Sequence, residues 1–268
     1  MKLGLIAGNR QFPLIFSQAA RKEQKDIYIN AIGFEGITEK KLESLVDKMH
    51  WINVGQLGKL IQIFQQEHID QAVMVGQIPP TLVLKDIKLD WKGTVFLAKI
   101  KSRRSKDILG ALADELEKEN VKLLPSHMFL KSEMAEKKIM TDSKPNIEDQ
   151  ADIDFGLPLA QSIADLDIGQ TIVVRKKAVV AVEAVEGTDE TIKRAGVLMS
   201  DPGGVVIKVA MTHHDVRYDI PVIGLTTVQN MVSAQLTTLV IDAKHTLFID
   251  KKTVLDFANQ NHIAIVGV

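Results

Sequence analysis

The densest cluster of chemically able side chains runs from Lys208 to Pro221. It reads Lys208-Val209-Ala210-Met211-Thr212-His213-His214-Asp215-Val216-Arg217-Tyr218-Asp219-Ile220-Pro221. In an extended chain His213, Asp215, Arg217 and Asp219 point to one side, and His214 and Tyr218 to the other. Two carboxylates flanking a guanidinium suit a site that holds a hard cation and a phosphate together. Carboxylate oxygens serve the cation and the guanidinium fork serves phosphoryl oxygens. The competing reading is an Asp–Arg–Asp salt-bridge ladder on a surface strand. The paired histidines do not make a zinc site, because neighbouring strand residues diverge and no third His or Cys is spaced nearby.

A second cluster is Glu183-Ala184-Val185-Glu186-Gly187-Thr188-Asp189. An apolar run leads into Gly187, and Thr188 or Asp189 is placed to cap a helix. Capping accounts for Thr188 and Asp189. It does not account for Glu183, a carboxylate inside an apolar strand, which needs a cation or metal partner if buried.

Three glycine turns follow apolar runs. Ala7-Gly8-Asn9-Arg10 precedes a helix, where a nucleotide fold places its phosphate loop. It carries one glycine of the three that a G-x-G-x-x-G loop requires, so a plain strand-to-helix turn is the favoured reading, with a ligand contact as the alternative. Gly55-Gln56-Leu57-Gly58-Lys59 opens a helix with a lysine available to a phosphate or to solvent. Gly76-Gln77-Ile78-Pro79-Pro80 closes a strand at the edge where such sheets take ligands.

These turns need a frame, and the hydrophobic periodicity supplies one. In the first half, strand-like Leu3–Ala7, Ile27–Ile32, Ala72–Val75 and Val121–Leu124 alternate with helix-like Phe12–Gln24, Gln56–His68 and Asp107–Glu119. Alternation predicts a mostly parallel sheet with helices on its faces, a Rossmann-like α/β domain over residues 1–130. Polar residues and breakers from 131 to 150 read as a linker. From 151 to 268 a helix over Ile153–Leu166 precedes strands at Thr171–Arg175, Ala178–Val185, Val205–Val209, Thr238–Ile241 and Thr246–Ile249. Helices are expected over Thr188–Met199, Val228–Leu236 and Thr253–Asn261, giving a mixed α/β domain that carries the catalytic cluster.

Composition excludes several classes. The 268 residues are 46% hydrophobic and 25% charged, ordinary for a globular chain. A formal net charge of -1 supplies no basic field for nucleic acid. The absence of cysteine removes disulfides, thiolate metal sites and a Cys nucleophile, and fits a cytoplasmic setting. The apolar run at Leu3–Ala7 is too short for a signal core, and no run of about 18 apolar residues is long enough to span a bilayer.

At these clusters the chain resembles the LpxI family, the UDP-2,3-diacylglucosamine pyrophosphatases of lipid A biosynthesis. The resemblance is carried by Leu5-Ile6-Ala7-Gly8 with Phe12-Pro13, by Gly55–Lys59, by Asp165-Leu166-Asp167-Ile168-Gly169-Gln170, by Ala181–Asp189, by Lys208-Val209-Ala210 and by Asp215–Gly224. The chain departs from the family pattern twice. Met211-Thr212-His213-His214 stands where the pattern has Lys-Pro-x-Gln, and Arg10 stands where a second glycine falls. The resemblance implies a two-domain enzyme in which water attacks the sugar-side phosphorus, releasing 2,3-diacylglucosamine 1-phosphate and UMP, with Mg²⁺ required and Mn²⁺ as the alternative. The candidate catalytic residues are Asp215, Asp219 and Arg217. Asp215 holds the metal or orients water, Asp219 is its partner carboxylate, and Arg217 meets a phosphoryl oxygen or holds the two carboxylates. Glu183, Glu186 and Asp189 are candidates to complete the metal shell. Gly8, Asn9, Gly55, Gln56, Lys59, Gly76, Thr188, Lys208 and His214 are candidate substrate contacts. The expected partner is a lipid-linked nucleotide sugar, met from the cytoplasm with at most peripheral contact with the inner membrane; a homodimer is left open. A non-catalytic nucleotide-sugar or lipid-binding protein on the same fold is the alternative, and a dinucleotide-dependent oxidoreductase is disfavoured by the missing glycines.

Overall fold

The computed structural model describes residues 1–78, 88–100 and 104–268. The chain divides into two compact units, Met1–Leu130 with Val216–Asp219, and Lys131–Asp215 with Ile220–Val268.

The first unit is built on five parallel strands: β1 (Lys2–Ala7), β2 (Tyr28–Phe34), β3 (Lys48–Ile52), β4 (Gln71–Val75) and β5 (Lys122–Leu123), in the order β3-β2-β1-β4-β5. The order reverses at β1, the geometry of a nucleotide fold. Helices α1 (Phe12–Glu23), α2 (Leu57–Gln66), α3 (Trp91–Lys99) and α4 (Ser105–Lys118) connect them. Both sheet faces are buried, as parallel sheets require. On one, Ile6, Ile32, Phe34 and Ile52 meet Leu60, Ile61 and Phe64 of α2 and Leu116 of α4. Phe16 of α1 is fully buried and packs on Phe129 with ring centroids 5.6 Å apart. β3 is absent from the sequence reading because Lys48-Met49-His50-Trp51-Ile52 alternates poorly; its pairing with β2 supplies what its pattern lacks.

The second unit carries a mixed sheet, in the order β12-β10-β8-β6-β7. Its strands are β6 (Thr171–Arg175), β7 (Ala178–Val182), β8 (Val205–Lys208), β10 (Thr238–Ile241) and β12 (Ala264–Gly267). β6 runs antiparallel to both β7 and β8, while β8, β10 and β12 are parallel. A two-stranded parallel sheet joins β9 (Val222–Ile223) and β11 (Leu247–Phe248). Side chains alternate between faces. Val173, Val206, Leu239 and Ile265 pack on α6 (Thr188–Leu198), α7 (Leu225–Ser233) and α8 (Lys251–Gln260). Ile172, Val174, Ile207 and Val240 pack on Ile153, Ala160 and Ala164 of α5 (Ile147–Asp165). α5 starts six residues before the expected position because Asn146 caps it, accepting from the Asp149 N–H at 2.8 Å.

Residues 131–150, expected as a linker, belong to the second unit. Ala135 is buried, and the Ala135 and Met140 N–H groups donate to the Thr246 and Ile265 carbonyls at 2.8 and 2.9 Å. Such backbone pairing leaves no trace in side-chain periodicity.

Candidate active site at the carboxyl edge of the second sheet

Thr171 opens β6 and pairs in register with Lys208, the last residue of β8. Glu183 follows β7, and Thr188 begins α6. The fold thus brings four polar side chains to one edge. The Lys208 ammonium is nearly enclosed, with its side chain 6% exposed, and Glu183 is 11% exposed. Lys208 Nζ donates to Thr188 Oγ1 at 2.8 Å and to Thr171 Oγ1 at 3.4 Å. The Thr188 hydroxyl also lies 3.1 Å from Glu183 Oε1 and 3.1 Å from Thr171 Oγ1. The nearest approach of Lys208 to Glu183 is 3.9 Å, to Oε2, and that oxygen is buried without a hydrogen-bond partner. Glu183 is therefore explained by a buried cation. Gly169 makes room for it, since a Cβ there would overlap the Glu183 carbonyl.

From the sequence Thr171 reads only as the start of a strand and not as a site residue. Only strand pairing joins it to a lysine 37 residues away.

The other acidic residues of this segment are occupied. Glu186 accepts from Arg194 at 2.8 Å and from the Ala184 N–H at 3.1 Å. Its own backbone N–H, then Arg194, hold its carboxyl below the ordinary range. Asp189 accepts from the Thr227 hydroxyl at 3.0 Å. Among the described residues no three His, Asp or Glu side chains converge to hold a metal ion. Glu183, Glu186 and Asp189 thus do not fit the expected metal shell, which needs several oxygens around one point.

The run from Lys208 to Pro221 is not a continuous strand. β8 ends at Lys208, and turns fall at 212–213 and 216–218. The alternation that set His213, Asp215, Arg217 and Asp219 on one side therefore does not hold. Asp215 belongs to the second unit, Arg217 and Asp219 to the first. The Arg217 guanidinium lies 5.8 Å from the centre of the Tyr218 ring. All three charged residues are half-buried.

His214 and its neighbours are held tightly. Asp165 accepts from the Thr212 N–H at 2.7 Å and from its hydroxyl at 2.8 Å. Those bonds, the backbone one first, keep the Asp165 carboxyl below its usual range. His214 Nδ1 lies 2.9 Å from the Met211 carbonyl oxygen.

In the first unit the glycine turns have structural employment. Gly8 N–H donates to Val75 O and Asn9 N–H to Gln77 O, both at 2.8 Å. Asn9 Oδ1 accepts from the Gln77 N–H at 3.2 Å. A Cβ on Gly8 would lie 2.6 Å from the Gln77 carbonyl oxygen. Gly8, Asn9 and Gly76 therefore zip the ends of β1 and β4 together. Gly76 has φ 85; Pro79 and Pro80 lie outside the described residues. Arg10 adopts φ 63, the left-handed region that a glycine would fill without strain. At the start of α2, Gly55 has φ 94 and Gln56 accepts from the Asn53 N–H at 2.8 Å. Asp90 accepts from the Lys59 backbone N–H at 3.1 Å, and the Lys59 side chain is exposed.

Comparison with known proteins covers nearly the whole chain. Residues 2–133 match the LpxI N-terminal domain and residues 136–266 the LpxI C-terminal domain. A relative from Caulobacter vibrioides, named UDP-2,3-diacylglucosamine pyrophosphatase LpxI, is 28% identical over 279 residues, covering 100% of this chain and 97% of the relative. Two family domains in tandem, their junction falling where the two units divide, leave one conclusion: the chain belongs to the LpxI family.

Proposed function

We propose that this chain hydrolyses the pyrophosphate of UDP-2,3-diacylglucosamine. Water oxygen bonds to the sugar-side phosphorus, the bond from that phosphorus to the bridging oxygen breaks, and the bridging oxygen leaves with UMP. The other product is 2,3-diacylglucosamine 1-phosphate. The reading is supported by the family and by the name of the Caulobacter relative. The observation that carries it is Lys208. A nearly enclosed ammonium whose hydrogen bonds go to two hydroxyls, with one carboxylate no nearer than 3.9 Å, keeps charge to offer an incoming phosphoryl oxygen. Thr188 is also the first residue of α6, whose N-terminus has no side-chain cap.

In this reading Lys208 and Thr188 hold a phosphoryl oxygen and Asp215, in the same unit, orients the attacking water; Arg217 and Asp219 keep the roles that the family resemblance implies, the one on a phosphate and the other as partner carboxylate. A divalent cation, Mg²⁺ or Mn²⁺, would add charge neutralisation to that of Lys208. Asp215 and Asp219 are the carboxylates that would hold it. The substrate is a lipid-linked nucleotide sugar. No described helix is long and apolar enough to cross a membrane, so acyl chains would be met at a bilayer surface or after extraction.

The test is turnover of UDP-2,3-diacylglucosamine in ¹⁸O-water with Mg²⁺. Label in the lipid phosphate supports the reading. Label in UMP overturns the site of attack, and binding without UMP release supports the non-catalytic alternative. Asp215→Ala should lower kcat at least about a hundredfold. Parent rates in both Asp215→Ala and Asp219→Ala would remove these residues from the machinery, and full activity after chelation would remove the metal.

A further inference from the structure

Most large apolar side chains of the first unit are buried, and α3 stands apart. Trp91, its first residue, is 83% exposed, with Leu89 at 38% just before it and Leu97 at 37% six residues on. Trp91, Thr94, Leu97 and Ala98 lie on the outer face of the helix, while Gly93 is buried and Phe96 packs on the core. A tryptophan this open to water contributes little to the fold. Its ring, apolar in body and polar at the N–H, suits a boundary between water and hydrocarbon.

The charges around this face are unevenly committed. Asp90, the one acidic residue between Lys88 and Lys106, turns its carboxylate to backbone donors. It accepts from the Gly93 N–H at 2.7 Å and from the Lys59 N–H at 3.1 Å. Lys92 is paired with Glu119. Lys88 and Lys99 are exposed and make no ion pair among the described residues. In sequence, Lys or Arg stands at seven positions from Lys88 to Lys106, a local basic excess in a chain of net charge -1. Exposed apolar side chains flanked by unpaired cations complement an anionic bilayer surface. A second copy of this chain does not fit the face as well, because a two-fold contact would bring the same lysines together.

The helix also starts at a useful place. The Asp90 N–H donates to the Gly55 carbonyl at 3.4 Å, and a Cβ on Gly93 would overlap that carbonyl. α3 therefore begins beside the carboxyl end of β3, the edge where parallel sheets take ligands. We propose that α3 docks the first unit on an anionic membrane, with Leu89, Trp91 and Leu97 entering the interface and Lys88 and Lys99 meeting lipid phosphates. This inference rests on the hydrolase reading for the use of the contact, since a lipid-linked substrate lies in that surface, but not for the contact itself.

The test is flotation of the full chain, without substrate, on vesicles of phosphatidylethanolamine and phosphatidylglycerol, against vesicles of phosphatidylcholine alone. The parent should float with the anionic vesicles, its tryptophan emission should shift to the blue, and raising salt to about 0.5 M should weaken binding. Lys88→Glu/Lys99→Glu should weaken it at least about tenfold, and Trp91→Ala by about tenfold, with circular dichroism unchanged because these side chains are exposed. Lys40→Glu/Lys41→Glu, the same charge change at exposed positions outside α3, should bind as the parent does. With UDP-2,3-diacylglucosamine carried in anionic vesicles the α3 variants should turn over more slowly than the parent, and in detergent micelles at the parent rate. A parent that does not float with anionic vesicles, or binds phosphatidylcholine equally, overturns the proposal. So does an equal loss in Lys40→Glu/Lys41→Glu, or a concentration-dependent dimer that Trp91→Ala abolishes. A parent that floats as expected but leaves the substrate intact defeats the hydrolase reading and leaves the docking face standing.

Discussion

Replacing Lys208 with methionine keeps most of the side-chain volume and removes the charge. In the parent, the ammonium and Glu183 Oε2 lie 3.9 Å apart, with the two side chains 6% and 11% exposed. At that separation two unit charges attract by roughly 4 kcal/mol if the effective dielectric is about 20. Lys208→Met leaves Glu183 buried without a counter-charge, holding one hydrogen bond from Thr188 at 3.1 Å. Breaking one side of a buried pair costs about 3–5 kcal/mol, and part of the cost is relieved here because Oε2 already lacks a hydrogen bond. The expected loss is about 3 kcal/mol. Glu183→Gln alone should destabilise as well, while the double variant Lys208→Met/Glu183→Gln should recover to within about 1 kcal/mol of the parent, because removing both charges removes the desolvation penalty. The assay must be far-UV circular dichroism during urea unfolding. Both tryptophans, Trp51 and Trp91, and both tyrosines, Tyr28 and Tyr218, lie in the first unit, so aromatic emission does not report on the second. The same double variant separates stability from function. It should be folded and still hydrolyse substrate at least about a hundredfold more slowly, since the phosphoryl cation is gone. Single variants within about 0.5 kcal/mol of the parent would refute the energetic argument, and a fully active double variant would refute the role of Lys208.

Three further outcomes follow from the same geometry. Gly8→Val should destabilise the first unit by at least about 1–3 kcal/mol, read by tryptophan emission, because a Cβ there lies 2.6 Å from the Gln77 carbonyl oxygen; parent stability with a raised KM would return Gly8 to ligand contact. The Glu136 carboxyl, held by hydrogen bonds from Lys138 and then Lys251, is lowered from 4.5 to about 2. Its contribution to stability is complete above about 4.5 and is lost as pH falls through about 2, so its side-chain ¹³C titration should move back towards 4.5 in Lys138→Ala/Lys251→Ala. Asp165→Asn should weaken the clamp on Thr212 and speed hydrogen exchange at its amide; in the parent, the same loosening should set in only below pH 3.8, because the Asp165 carboxyl is lowered from that value.

How much of this was legible in the residues divides along one physical line. Periodicity is local, and what it encodes was readable: Leu3–Ala7 and Ala72–Val75 as buried strands, the apolar face of α2, and the mixed character of the second sheet. Glu183 was readable too, because a carboxylate inside an apolar run demands a partner if buried. The partner was not singled out from its spacing. Lys208 and Thr171 meet because β6 runs antiparallel to β8 with those two residues in register, and register is a property of pairing rather than of either strand alone. The misreading of the Lys208–Pro221 run has a related cause. Its alternation of charged and apolar residues mimics a strand, but a strand needs a neighbour with free backbone groups, and the turns at 212–213 and 216–218 interrupt the run before it finds one. Gly8 and Gly76 show the same limit from the other side. A glycine at a strand end signals close approach by something, and here that something is the opposing turn's backbone.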